Sequence, residues 1–415
     1  MELLNFLEKA PTAFQAVLTM RGELLQAGAK ELFENDSWDL QRNQDYFVVK
    51  NDSALLAFRI PEDCGSFHIY AAHSDSPSFK VKENPEIVVE NAYVKLNVER
   101  YGGMLMSTWF DRPLSVAGRV IVERDGKPES IPVNVDRDLL VIPNLAIHMN
   151  REANDGYKYN AQKDLLPLFG GIEAKGTFMK IVAEWAGVSE EEILGHDLYL
   201  YQRVKPVILG ANREFISAPR IDDIECAYAG LQGFFRGEKK AAVSVFCMFD
   251  NEEVGSASIQ GAGGKFLSDT LLRISEALSD TDEQRIRRLS ESFLISADNG
   301  HALHPNYPEK CDPTNRPKLN EGILLKYSAN LRYTTDGKSA AKLKLLCKKA
   351  GVPLQIFFNR SDMMGGSTLG NISLSQVPVH SVDIGLPQLA MHSAYETAGT
   401  KDYESLKKLA ETFFA

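Results

Sequence analysis

Glu252 and Glu253 come directly after an apolar run at 243–249, in the string Asp250-Asn251-Glu252-Glu253-Val254-Gly255-Ser256. Consecutive side chains at the end of a strand point in different directions. One carboxylate can therefore hold a divalent metal while its neighbour serves as general base toward an attacking water. That division of labour is hydrolytic chemistry. Glu-Glu pairs also decorate solvated surfaces, so the reading requires other ligand-type residues at the same place.

The elements that would bring them there can be read from the hydrophobic pattern. Residues 11–28 read as a helix with Thr12 as cap and Gly28 as stop. Residues 45–50 and 54–60 read as strands of a hairpin turning at Asn51-Asp52, and 67–72 as a strand ending at His73. Beyond residue 222, predicted helices (223–235, 264–278, 339–350 and one after 401) alternate with predicted strands (243–249, 293–297, 354–358, 377–382). Such alternation predicts an α/β fold, a mostly parallel sheet flanked by helices. Between about 85 and 215 the texture changes to short β-rich runs (87–89, 93–98, 119–122, 139–142) broken by Gly, Pro and Asp-Gly, which reads as an insertion.

Ligands gather at the carboxyl ends of strands in open α/β sheets. His73 and Asp75 stand at the end of the strand predicted at 67–72, Glu252 and Glu253 after that at 243–249, and Asp298 after that at 293–297, with His392 in a loop past the last. Asp222, at a predicted helix start, could project into the same crevice or simply cap the helix. Asp298 before Asn299-Gly300 could be turn chemistry, and a single His such as His392 is often only a hydrogen-bonded core or surface residue. Together the set suits hard-to-borderline divalent ions sharing a carboxylate, and the lack of sulfur ligands disfavours a closed structural zinc cage. Asp75, two residues past His73, suits the carboxylate that orients a ligating imidazole.

Other classes are disfavoured. The 415 residues carry a formal net charge of -10 with no concentrated basic face, which speaks against nucleic acid as a partner. No apolar stretch of about 18 residues suggests a membrane span. The first residues are acidic where a secretory signal would be basic, and five scattered cysteines without Cys-x-x-Cys spacing fit a reducing compartment, so a cytoplasmic location is expected. There is no Gly-x-Ser-x-Gly elbow and no phosphate-binding Gly-x-x-x-x-Gly-Lys loop.

The strings Ala72-His73-Ser74-Asp75-Ser76-Pro77, Pro219-Arg220-Ile221-Asp222-Asp223, Asp250-Asn251-Glu252-Glu253-Val254-Gly255-Ser256, Ser296-Ala297-Asp298, His301-Ala302-Leu303-His304-Pro305-Asn306-Tyr307 and Pro387-Gln388-Leu389-Ala390-Met391-His392-Ser393 closely resemble the aspartyl aminopeptidase and aminopeptidase I family of co-catalytic zinc metallopeptidases. The resemblance covers essentially the whole chain. It implies two divalent metal ions per subunit, zinc first with cobalt or manganese as alternatives. His73 and Asp298 would hold one, Glu253 and His392 the other, and Asp222 both, with Glu252 as general base. The substrate would be a peptide with a free N-terminus.

The resemblance further implies a catalytic domain of residues 1–84 plus 216–415 and an inserted β-rich dimerisation domain of residues 85–215, with dimers closing into a tetrahedral dodecamer. In Pro143-Asn144-Leu145-Ala146-Ile147-His148-Met149, His148 matches a His that enters a neighbouring subunit's site; from the residues alone, a His in an apolar run is more often core. His301, Lys326 and Tyr333 align with substrate-contacting positions, and a Lys there would pair with an Asp or Glu side chain, so acidic and neutral N-terminal preferences both stay open. The chain departs from the family wording at Asp223, where Asn is usual, and at Met363-Met364. Two rivals remain: another dinuclear metallohydrolase, such as a deacylase or carboxypeptidase, and an inactive assembly or binding protein.

Overall fold

The computed structural model describes residues 2–237 and 242–415. The apolar run forms strand Ala242–Phe249, buried along its whole length. A strand covered on both faces has no solvent side to mark with polar residues, which is why its sequence is continuous rather than alternating. It sits in a nine-stranded sheet of spatial order Lys30–Leu32, Asp45–Lys50, Ala54–Arg59, Ala242–Phe249, Ser66–His73, Phe293–Ala297, His380–Gly385, Ile323–Lys326 and Leu354–Phe357. The strands from Ala242–Phe249 to His380–Gly385 are mutually parallel. Ala54–Arg59 and Ile323–Lys326 flank them antiparallel.

Side chains alternate across this sheet. Tyr70 and Phe246 enter one core, where helices Ile221–Arg236, Gly337–Ala350 and Asp402–Phe414 contribute Leu231, Leu343 and Leu406. Ile69 and Val245 enter the opposite core, closed by Phe266, Leu271 and Ile274 of helix Phe266–Ala277. Each such side chain adds roughly 1.5–3 kcal/mol by leaving water, so the two helical layers clamp the strand ends firmly. The fold is α/β, mixed sheets flanked by helices.

Two departures from the sequence expectation have physical causes. The strand expected at 377–382 lies at His380–Gly385, preceded by helix Leu369–Gln376. Its centre holds a buried Asp383, which accepts from Thr368 Oγ1 at 2.6 Å and Thr334 Oγ1 at 2.7 Å, and this polar residue breaks the apolar run. Strand Ile323–Lys326 and helices Glu2–Lys9 and Asp282–Ser290 were not anticipated, being too short for a distinct period.

Residues of the β-rich segment build a second sheet, ordered Lys127–Asn134, Leu114–Arg124, Ile193–Gln202, Ser78–Val89, Tyr93–Tyr101, Leu168–Gly171, around its own core of Phe79, Val98, Val120 and Leu198. Arg119 ties it to the hairpin of the central sheet, reaching Asp52 at 2.8 Å while Asp197 of its own sheet holds it at 2.9 Å. A third sheet, unforeseen, runs Val207–Leu209, Phe215–Ala218, Glu396–Gly399, Pro387–Leu389, Gly300–His301. No described helix is long and apolar enough to cross a membrane.

Candidate metal centre

Strands Ser66–His73 and Ala242–Phe249 end level, Phe249 opposite His73. His73 closes one strand, Glu252 and Glu253 open the short turn after the other, and Asp298 follows Phe293–Ala297. The third sheet delivers the rest. Asp222 comes after Phe215–Ala218, through a cis peptide to Asp223, and His392 sits with φ 65° in the turn between Pro387–Leu389 and Glu396–Gly399. Asp222 does not cap its helix, and Asp223 turns its Oδ2 to the His73 backbone N–H at 3.1 Å.

One donor atom each from His73, Asp222 and Asp298 lie within 4.8 Å of one another; so do those of Asp222, Glu253 and His392, and those of His73, Glu252 and Glu253. Asp222 belongs to the first two groups. Its Oδ1 is 3.7 Å from His73 Nε2 and its Oδ2 3.4 Å from His392 Nε2, which in turn is 3.3 Å from Glu253 Oε1.

So many buried carboxylates cannot all stay ionised without cations. Burial pushes Glu252 up to about 9, with Asp298 and Glu253 adding repulsion. Burial likewise lifts Glu253 to about 7. For Asp222 burial is outweighed by His392 and His73, which hold it below the usual range. Burial opposes protonation of His392, yet Asp222 and Glu253 drive it up to about 11. Asp222 Oδ1 and Glu253 Oε1 are buried without a hydrogen-bond donor. Bare carboxylate oxygens in a dry site are costly, and a divalent cation satisfies them.

Asp75 is the hub beneath. Its Oδ1 stands 3.3 Å from His73 Nδ1 and accepts the Glu252 backbone N–H at 3.1 Å; its Oδ2 accepts the Glu253 N–H at 3.1 Å and the Tyr101 hydroxyl at 2.6 Å. Glu396, missed from sequence, plays a like part opposite. Its Oε2 accepts the Asp222 N–H at 3.0 Å and its Oε1 the His392 N–H at 2.7 Å. The signal was a carboxylate four residues past His392, unremarkable without the turn that folds it back.

The cluster floors a cleft of about 360 Å³ walled by His301, Lys326, Tyr333, Phe357, Thr368 and Met391. Lys326 is 2% exposed and donates to the Asn299 carbonyl at 2.8 Å. Gly385 makes room for it, since a Cβ there would stand 1.8 Å from the Asp298 carbonyl oxygen and 3.1 Å from Lys326 Cε. His148 is no core residue. It lies exposed at 145–149, beside Leu145, Ile147 and Met149, and lines no part of this cleft.

Four carboxylates and two imidazoles, gathered where the parallel strands of the central sheet end and the third sheet meets them, define a metallohydrolase of the α/β class. The chain belongs to the aminopeptidase I zinc metalloprotease family (M18), whose model matches residues 6–414. It is 46% identical over 422 residues to a probable M18 family aminopeptidase 2 of Clostridium acetobutylicum, covering 100% of this chain and 98% of the relative. Among solved structures, that of the Ape4 and Nbr1 complex matches with TM-score 0.96 at 33% identity, over 100% of this chain and 84% of the other. The S. cerevisiae mApe1 dodecamer matches with TM-score 0.87 at 26% identity, over 100% and 95%. The chain is a metal-dependent aminopeptidase, a hydrolase acting on peptide bonds.

Proposed function

We propose that the chain removes the N-terminal residue from peptides with a free amine at a dinuclear centre. His73 and Asp298 would hold one divalent ion, Glu253 and His392 the second, and Asp222 both; zinc fits first, cobalt or manganese also. The observation that carries this is the sharing of Asp222 by two compact ligand groups. Bound there, the ions would polarise the scissile carbonyl and lower the pKa of the attacking water.

Glu252 belongs to neither of those two groups. In this reading it takes the proton from the attacking water and returns it to the leaving amine, as a general base that becomes a general acid. Asp75 fixes the ring of His73. His301, Lys326 and Tyr333 form the wall that meets the first residue's side chain, though Lys326 already faces Asp298 and Asn299.

The reading includes a catalytic domain of residues 1–84 plus 216–415 and a dimerisation domain of residues 85–215 whose exposed His148 reaches the cleft of a second copy. The dodecameric state of the yeast relative supports a homo-oligomer here. Five free cysteines suit a cytoplasmic setting.

The test is release of the first residue from short peptides beginning with Asp, Glu, Leu or Lys, and from blocked Leu, with zinc, cobalt or manganese and with chelator. Metal-dependent release from free but not blocked peptides is expected. Cleavage of blocked peptides would favour a deacylase or carboxypeptidase, and no release under any metal an inactive binding protein.

A further inference from the structure

Both histidines of the centre are held from one segment, residues 101–108, which continues strand Tyr93–Tyr101 of the second sheet rather than any central strand. On one side the Tyr101 hydroxyl donates to Asp75 Oδ2 at 2.6 Å and receives Asn251 Nδ2 at 2.9 Å; Asp75 in turn faces His73 Nδ1. On the other side the Leu105 backbone N–H donates to the His392 carbonyl at 2.9 Å. Thr108 Oγ1 accepts the Ala394 N–H at 2.8 Å and donates to the Leu105 carbonyl at 2.7 Å.

Between these anchors the segment crosses directly over a ligand. Gly102 has φ +73°, and a Cβ on it would stand 3.2 Å from Glu253 Cβ. Positive φ and that close approach together call for glycine.

We infer that residues 101–108 are a positioning strap: through Tyr101 and Asp75 they fix the His73 ring, and through Leu105 and Thr108 they fix the His392 turn. The geometry of the metal centre then depends on how the second sheet is seated. That seat has its own fastenings, with Arg119 on Asp52 and Gln15 Nε2 donating to the Gly118 carbonyl at 2.8 Å and the Val133 carbonyl at 3.1 Å. A movement of the second sheet, such as docking of another copy would impose, is thus transmitted to both imidazoles. The inference rests on the ligand assignment proposed above.

The test uses the full-length protein and three single variants: Y101F, T108V and, as control, Y199F. Tyr199 packs edge-on against Tyr101 at 5.4 Å, whereas the hydroxyl that donates to Asp75 Oδ2 is that of Tyr101. Zinc affinity is read by competition with a chromogenic chelator, beside thermal unfolding, kcat and KM. Y101F should weaken zinc binding and lower kcat about tenfold or more, as loss of outer support for a ligand does, with KM and melting temperature little moved. T108V should shift in the same direction by less, and Y199F should not shift.

Zinc affinity and kcat within about twofold of wild type in both Y101F and T108V would overturn the strap. Equal losses in Y199F would also overturn it, by showing a general packing effect. Should Y101F fail to fold, T108V alone decides by the same measure. A wild-type protein that binds no zinc refutes the metal centre itself, before any variant is compared.

Discussion

The ammonium of Lys326 stands 3.7 Å from Oδ1 of Asp298, at the rear of the carboxylate cluster. Both side chains are nearly inaccessible. A cation so placed offsets part of the repulsion among Asp298, Asp222 and Glu252, and its Coulomb partners include Asp298 and Asp222.

Lys326→Met should therefore harm the protein twice. Breaking a buried pair from one side costs roughly 3–5 kcal/mol, visible as a lower urea midpoint of the metal-free protein. Zinc affinity should also change, because Asp298 loses its fixed counter-charge. A variant with wild-type stability and wild-type affinity would show that the pair contributes nothing.

Glu252→Gln should bind zinc normally but turn over roughly 10²–10⁴ times more slowly, the usual range for removing a general base. The amide keeps the shape and gives up only the proton acceptor. Metal content by atomic absorption and kcat on a good peptide separate the two effects. Wild-type turnover would reassign the base.

Glu396→Gln should be more damaging than its size suggests. The carboxylate accepts backbone N–H groups at both oxygens, from Asp222 and His392. An amide can accept at one end only and must aim its NH₂ at a backbone donor at the other. A loss of about 10–100-fold in zinc affinity is expected. An unchanged chelator titration would count against it.

The metal-free protein should lose stability as pH rises. Burial raises Glu252 to about 9, Glu396 to about 8 and Glu253 to about 7, all from an ordinary 4.5. The native state then holds protons that the unfolded chain has already released, so the stabilising share is full below the unfolded pKa and drains away toward the folded one. His392, driven from 6.5 up to about 11, acts in the same sense, its share complete below 6.5. Melting temperature without metal should fall from about pH 5 to about pH 9, and the gain on adding zinc should widen over that range. A metal-free melting temperature that climbs with pH would contradict this.

Much of the cluster of ligand-type residues was legible because strands ending in His or followed by Glu-Glu and Asp announce themselves: apolar runs and abrupt polar stops are local signals. The hairpin at Asn51-Asp52 was legible for a similar reason, both residues taking positive φ. Glu396, Tyr101 and the third sheet were not, since each matters through a partner distant in sequence. Asp383 hid the far end of its own strand by being polar and buried. The pairing of Lys326 with Asp298 was not legible either, because it too joins residues distant in sequence.

The order of the central sheet also sets a timetable for synthesis. Strand Ser66–His73 is flanked by Ala242–Phe249 and Phe293–Ala297, both made long after it. A chain leaving the ribosome must carry that apolar strand unpaired while the whole second sheet, with its separate core, is produced and has the chance to fold first. The half-made protein therefore carries this strand without its parallel partner until Ala242–Phe249 has been made, and this is the interval in which a chaperone would have the most to cover.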